Sequence, residues 1–287
     1  MEEAGKTAME EAGKTAMNGA PAGALPVNAR VLTKEEEEAY NTCDPEQRPL
    51  FQEMCIRIDH EDQVLGPIAK RDCHLNSAIR EGILHRAFSV FLFSSKENGT
   101  KLLLQQRSDK KPTFPLHWTN TCCSHPVYFV DPKNTEGGEG IPQEDWELEE
   151  GRQLGVKRAA KRKLWHELGI AAHHVPDVER DFTFLTRIHY MSEKGSGDGV
   201  WGEHEIDYIL FLQRDVEVVP RPNEVKEYRW VTQQELTEFM ETAEGNGVAI
   251  TPWFKLIVEK FLFKWWDALL RDDLASQADV DTIHRLC

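Results

Sequence analysis

Residues 154–168 carry Val156, Ala159, Ala160, Leu164 and Leu168 at helical spacing, and Gly169 follows as a stop, so the stretch predicts an amphipathic helix. A second helix is predicted over 233–243, behind Thr232 as N-cap. A third runs from Trp253 to about Arg271 after Thr251-Pro252, with Ile257, Phe261, Trp265 and Leu269 along one face. Strand signals are shorter. Residues 53–58 suit a strand and 59–63 a turn. Residues 86–93, rich in aromatic and β-branched side chains, read as a buried strand. Glu97-Asn98-Gly99 marks a hairpin turn, with 101–106 as the returning strand. Residues 119–125 are extended by composition, and the acidic stretch 131–151, with its Gly and Pro, reads as a loop. Strands are predicted at 181–190 and 205–214 around a Gly-rich loop at 195–202, with 216–219 as a continuation and 228–231 as a further short strand. Strands with one helix among them and helices at the end make an α+β layered fold.

The N-terminal stretch is different. The octamer MEEAGKTA occurs twice in the first sixteen residues, and 17–29 are rich in Gly, Ala and Pro. Residues 1–50 hold five Lys/Arg against ten Asp/Glu. Few large apolar residues interrupt them, so 1–49 read as a disordered, acidic, low-complexity tail, with at most a short helix at 34–40. The folded part is expected from near Leu50. Over all 287 residues the formal net charge is −15, from 34 Lys+Arg and 49 Asp+Glu. A nucleic-acid partner is excluded on that balance, because such binding rests on neutralising phosphates. A small anionic substrate needs only a few local cations and remains open. No apolar run approaches the roughly 20 residues of a membrane helix, so no membrane partner is expected. Six scattered cysteines, with no apolar leader core, point to a reducing compartment, the cytoplasm. The closing Ile-His-Arg-Leu-Cys loosely resembles a peroxisomal tail and leaves that organelle open.

Two clusters carry candidate chemistry: Trp-Thr-Asn-Thr-Cys-Cys-Ser-His-Pro at 118–126 and Trp-Gly-Glu-His-Glu-Ile-Asp-Tyr at 201–208. In a strand, i and i+2 share a face. Cys123 and His125 then share one, with Cys122 opposed; Glu203 and Glu205 share another, with His204 opposed. If both strands line one pocket, a thiol, an imidazole and two carboxylates converge there, and His74 and His85 can reach the same place. Imidazole and carboxylate ligands suit Zn, Mn or Mg. Basic residues also group: Lys70 and Arg71; Arg107, Lys110 and Lys111; and Lys157, Arg158, Lys161, Arg162 and Lys163 on the first helix. Such groups either grip a diphosphate or, on the helix, form a solvated face.

These motifs, with Phe-Ser-Val-Phe-Leu-Phe, Leu-Leu-Leu-Gln-Gln-Arg-Ser and Thr-Pro-Trp-Phe-Lys, closely resemble the type I isopentenyl-diphosphate isomerase family, eukaryotic branch. The likeness covers roughly residues 50–287. It implies a Nudix-like α/β/α sandwich with a mixed sheet: one isomerase domain over 50–287, with a Nudix-like core at about 83–250 and a C-terminal helix at 253–271. It implies an isomerase that interconverts isopentenyl and dimethylallyl diphosphate; for the chain itself a monomer acting on this small molecule is expected. By motif, the implied metal ligands are His74, His85, His125, Glu203 and Glu205. The implied acid–base residues are Cys123 and Glu205, with Tyr190 assisting. Lys70, Arg107, Lys111 and Ser124 match substrate-binding positions, and Trp253 is the aromatic face that would shelter a cation. Glu167 matches the ligand of a Mg ion that travels with the diphosphate, separate from the Mg, Mn or Zn of the His/Glu site. The rival on this fold, a Nudix diphosphohydrolase, uses several Glu residues on its helix. Here those positions read Arg162-Lys163 and His166-Glu167, with Leu148 and Leu154 upstream, which leaves one carboxylate.

Overall fold

The computed structural model of the protein describes residues 30–128 and 147–287. Among these residues, ten strands form one mixed sheet. They are β1 (Met54–Ile58), β2 (Val64–Ala69), β3 (Leu84–Phe93), β4 (Leu102–Arg107), β5 (Trp118–Thr119), β6 (Cys122–Ser124), β7 (Thr183–Ser192), β8 (Glu203–Gln213), β9 (Val225–Val231) and β10 (Ile283–Arg285). The main path runs β10-β7-β8-β3-β1-β2, and β4, β5, β6 and β9 branch from it. The helices are α1 (Lys34–Thr42), α2 (Gln47–Leu50), α3 (Lys70–Cys73), α4 (Asn76–Arg80), α5 (Leu154–Leu168), α6 (Val178–Asp181), α7 (Gln233–Ala243), α8 (Pro252–Ile257) and α9 (Phe263–Leu270).

β3 and β8 run parallel at the centre, and both are buried along almost their whole length. Alternation sorts their side chains into two cores. Phe88, Val90 and Leu92 of β3 join Ile206, Leu210 and Leu212 of β8 under the apolar stripe of α5. Phe91, Phe93, Ile209 and Phe211 face the other way, onto Trp253, Phe254, Ile257, Leu262, Trp265 and Trp266. A helical layer thus lies on each face, as the expected α/β/α sandwich requires. Helix boundaries follow local chemistry. Thr232 and Glu235 close a capping box at α7, and Thr33 and Glu36 do so at α1. Gly169 ends α5 in the left-handed conformation, where a Cβ would lie 2.4 Å from the Val219 carbonyl oxygen.

Several expected elements differ. The expected strand at 216–219 is not one: Val219 donates its N–H to the Leu168 carbonyl and so serves the end of α5. The expected strand at 228–231 begins at Val225. The final helix carries a π-helical segment, Val258–Leu262, between α8 and α9. The extended stretch 119–125 breaks at Asn120–Thr121, because β5 pairs with β4 whereas β6 pairs with β3. Those two strands splay apart, sharing only the Phe93–Leu102 pair. Side chains fill the gap in the ladder: Thr121 Oγ1 accepts from Leu92 N and donates to Leu103 O.

The expected tail over 1–49 divides at residue 30. Residues 1–29, and most of the loop expected at 131–151, lie outside the described residues. Residues 30–49 are not a tail: α1 and α2 pack on the domain. Ala39 and Tyr40 sit against Phe51, Leu75, Ala78 and Trp201, and Phe51 stacks on Trp201 at 4.8 Å. Buried Glu36 accepts from Ser77, and Gln47 donates to Glu224 at 3.0 Å. The packed part of the chain therefore begins upstream of Leu50, with α1 already on the domain. A chain starting at residue 47 should melt at least about 4 °C below one starting at residue 30, for a loss of about 2 kcal/mol in a domain of this size. Thermal unfolding of the two chains checks this; equal midpoints would mean that α1 contributes nothing.

Candidate active site

The site lies where one face of the sheet meets α3 and the start of α8. Lys70, His74, Arg107, Lys111, Cys123, Ser124, His125, Tyr190, Glu203, Glu205 and Trp253 line a single cleft. Of the other expected site residues, His85 and Glu167 are buried and not in that lining, Glu167 accepting from Gln105 Nε2 at 3.3 Å. Gln47, Leu50, Phe51, Pro112 and Thr113 complete the lining and carried no functional signal in the sequence.

His74, His85, His125, Glu203 and Glu205 each offer a ligand atom, and all five atoms lie within 4.8 Å of one another. The three rings sit 4.7–4.9 Å apart, centre to centre. β8 places Glu203 and Glu205 on one face, and His204 turns to the other, its Nδ1–H donating to Ile83 O at 2.8 Å. Gly202 precedes them because a Cβ there would lie 2.3 Å from Asn76 Oδ1. β3 supplies His85, directly paired with Glu205. His74 ends α3 and donates Nδ1–H to Lys70 O at 2.7 Å, which leaves its Nε2 lone pair facing the cluster. That Nε2 lies 2.9 Å from Glu203 Oε2, yet neither atom has a hydrogen-bond partner of acceptable geometry. His85 Nε2 is likewise buried without a partner. Buried polar atoms this close, aimed together and unsatisfied, fit a shared divalent cation.

The charges agree. Burial drives His85 below its ordinary pKa and His125 well below, so both present neutral imidazoles. Burial alone would raise Glu205, but His85 and Tyr190 outweigh it and hold the carboxyl at about 2. Glu205 Oε1 lies 2.7 Å from His125 Nε2, while Oε2 accepts the Tyr190 hydroxyl. One carboxylate thus joins the cluster to the phenol beside it.

Cys123 sits on the same face of the sheet, with Cys122 in the opposite core under α5. Burial pushes the Cys123 thiol up to about 12, against the pull of Arg107, whose Nη1 approaches the sulfur at 3.7 Å. The rest of the Arg107 guanidinium is committed: Nε and Nη2 donate to the carbonyls of Thr113 and Phe114. Trp253 walls the cleft, 5.8 Å from Tyr190 and edge-on to Phe114 at 5.1 Å. Lys111 is held by Glu224, and buried Lys163 lies 3.6 Å from Glu53. Burial and then Lys163 and Lys111 push Lys70 below its ordinary value, the mark of crowded cations that an anion would relieve. The α5 cations are therefore not one solvated face: Arg162 is buried on Glu147 at 2.6 Å, and Lys157 and Lys163 are buried too.

The NUDIX domain family matches residues 83–254, which places the chain in that fold class. The chain is 49% identical to mouse isopentenyl-diphosphate Delta-isomerase 1 over 243 residues, covering 85% of this chain and 96% of that protein. Cattle isopentenyl-diphosphate Delta-isomerase 1 is 48% identical over 87% of this chain and 99% of its own. The chloroplastic isomerase I of Arabidopsis thaliana is 47% identical over 93% of this chain and 85% of its own. The chain belongs to the isopentenyl-diphosphate Delta-isomerase family. Among the described residues no helix is long and apolar enough to cross a membrane.

Proposed function

We propose that the chain interconverts isopentenyl diphosphate and dimethylallyl diphosphate, a 1,3-allylic shift of one double bond in isoprenoid biosynthesis. The observation that carries the reading is the placement of a thiol and a Tyr–Glu pair around one aromatic-walled cleft that two lysines also line. The reaction adds a proton to the terminal alkene carbon and removes one from the carbon two bonds away, leaving a double bond between the former cationic carbon and the deprotonated one. Cys123 and the Tyr190–Glu205 pair supply the two proton-transfer groups. The intermediate carbon is cationic. The Trp253 face stabilises such charge by about 2 kcal/mol or more when water is excluded, and exclusion also prevents hydration to an alcohol.

Lys70, Arg107 and Lys111, with Ser124, hold the diphosphate in the cleft, and Arg107 also orders the loop 113–114 and faces the sulfur. His74, His85, His125, Glu203 and Glu205 would hold Mg, Mn or Zn, and Glu167 a Mg ion carried with the diphosphate. A cation at the first site would lower the proton affinity of the Glu205 carboxylate. Every one of these residues comes from a single chain, so a monomer suffices. All six cysteines are free, which suits a reducing compartment such as the cytoplasm. Diphosphate hydrolysis is disfavoured: Glu167 is the sole carboxylate on α5, and Arg162 and Lys163 are engaged by Glu147 and Glu53.

The test is incubation of the purified protein, Mg and isopentenyl diphosphate in deuterated water. Deuterium should enter dimethylallyl diphosphate, read by mass spectrometry. Release of inorganic phosphate, or product free of deuterium, would overturn the reading.

A further inference from the structure

The break between β5 and β6 places one fully buried amide at the centre of the site's framework. Asn120 Oδ1 accepts from Trp253 Nε1 at 3.1 Å and from Thr119 Oγ1 at 2.9 Å. Its Nδ2 donates to Val90 O and to Cys122 O, each at 3.1 Å. Both lone pairs and both N–H groups of the amide are thereby used. A second tie lies beside it. Thr251 stands before α8, yet its hydroxyl does not cap that helix; it donates to Thr119 Oγ1 at 2.8 Å. The backbone repeats the link, with Thr251 N donating to Trp118 O.

We propose that Asn120 is a positioning residue for the reaction, locking the Trp253 indole to the strand that carries Cys123 so that ring and thiol face the substrate at a fixed separation. The proposal rests on the reading of Trp253 as the wall that shelters the cation. A buried indole N–H needs an acceptor, and Asn120 Oδ1 is the one it has. The Cys122 carbonyl on the same amide belongs to the residue before the thiol, so a single side chain fixes both walls. Stabilisation of a cation by a ring requires the face within about 6 Å of the charge. Geometry errors near 1 Å cost on the order of 100-fold in rate. Asn120 itself does not line the cleft, so its effect must pass through the groups it holds, the larger share through Trp253.

Steady-state kinetics of Asn120→Ala, Trp253→Phe and the double variant test this. Asn120→Ala should lower kcat about 30-fold, within the range expected for misplacement, with KM for isopentenyl diphosphate changed less than about threefold and bound metal unchanged. In the Trp253→Phe background, which lacks the indole N–H, the same change should cost less than about threefold further. An equal loss in both backgrounds would overturn the proposal, because Asn120 would then act on the strand alone; so would unchanged kcat in Asn120→Ala. Should Trp253→Phe and Trp253→Ala both keep full turnover, it is the reading of Trp253 as the wall that fails. Should Asn120→Ala not fold, hydrogen exchange of the Trp253 indole in the intact enzyme decides. Strong protection supports the lock, and exchange as fast as an exposed indole overturns it.

Discussion

Cys123→Ser should lower turnover at least about a thousandfold, taking 10²–10⁴ as the scale of general acid–base effects, whereas Cys122→Ser should keep most of it. The two thiols are neighbours in sequence and opposites in space. In the β3–β6 register Cys122 pairs with Val90 and Cys123 with Ser89, so alternation sends Cys122 into the core under α5 and Cys123 into the cleft. Burial already holds the Cys123 thiol near 12, with Arg107 as the opposing influence. A serine hydroxyl in that slot binds its proton far more tightly than a thiol, and proton exchange with the substrate slows accordingly. Cys122→Ser instead places a hydroxyl in an apolar core, at a cost of about 1–3 kcal/mol and no direct effect on chemistry. Steady-state kinetics and thermal unfolding of both soluble variants separate the cases. A dead Cys122→Ser enzyme beside an active Cys123→Ser would reverse the assignment. Activity in both would move proton transfer wholly to Glu205 and Tyr190.

The same alternation explains why much of the site was legible in sequence. Period-2 reasoning put Cys123 with His125 and Glu203 with Glu205 on shared faces, and the structure has those pairs in one cleft. Period 3.6 with a glycine stop located α5, and a threonine N-cap located α7. What escaped was held together from far away. Gln47 reaches the cleft through Asn223 and Glu224, 176 and 177 residues distant, so no local pattern betrays it. The short helix expected at 34–40 is α1, but its packing is masked by four consecutive glutamates, and only Ala39 and Tyr40 on its inner side hint at it. α3 and α4 span four and five residues, too short for a periodic signal, and Asn76 is fixed by the carbonyls of Glu193 and Gly199. β2 contains Gly66-Pro67, a pair that argues against a central strand and is tolerated at the sheet's edge. β10 is three residues long and exists because β7 offers it a parallel partner. The ligand roles came from the family resemblance. Alternation gave only the faces, and the convergence of three histidines from α3, β3 and the segment after β6 is a product of the tertiary fold.

Glu205→Gln should be the other most damaging change, and Glu203→Gln separates the reasons. The two carboxylates share a face of β8 and both belong to the His/Glu cluster, but only Glu205 also receives the Tyr190 hydroxyl. Glutamine keeps the size and removes a charge that His85 and Tyr190 favour against burial. Either substitution takes away one anionic ligand and should weaken divalent-metal binding at least roughly tenfold, by analogy with the loss of supporting groups around metal sites. For Glu203→Gln that is the main loss, so raising the metal concentration should restore most of kcat. For Glu205→Gln the loss should persist at saturating metal, at about 10³-fold or more, because the amide cannot exchange a proton with the Tyr190 hydroxyl or the substrate. Tyr190→Phe should fall between them, since it removes the phenol and leaves the carboxylate. Turnover measured against metal concentration, with bound metal assayed in parallel, decides the matter. Full recovery of Glu205→Gln by added metal would reduce Glu205 to a ligand and leave Cys123 and Tyr190 as the proton-transfer pair.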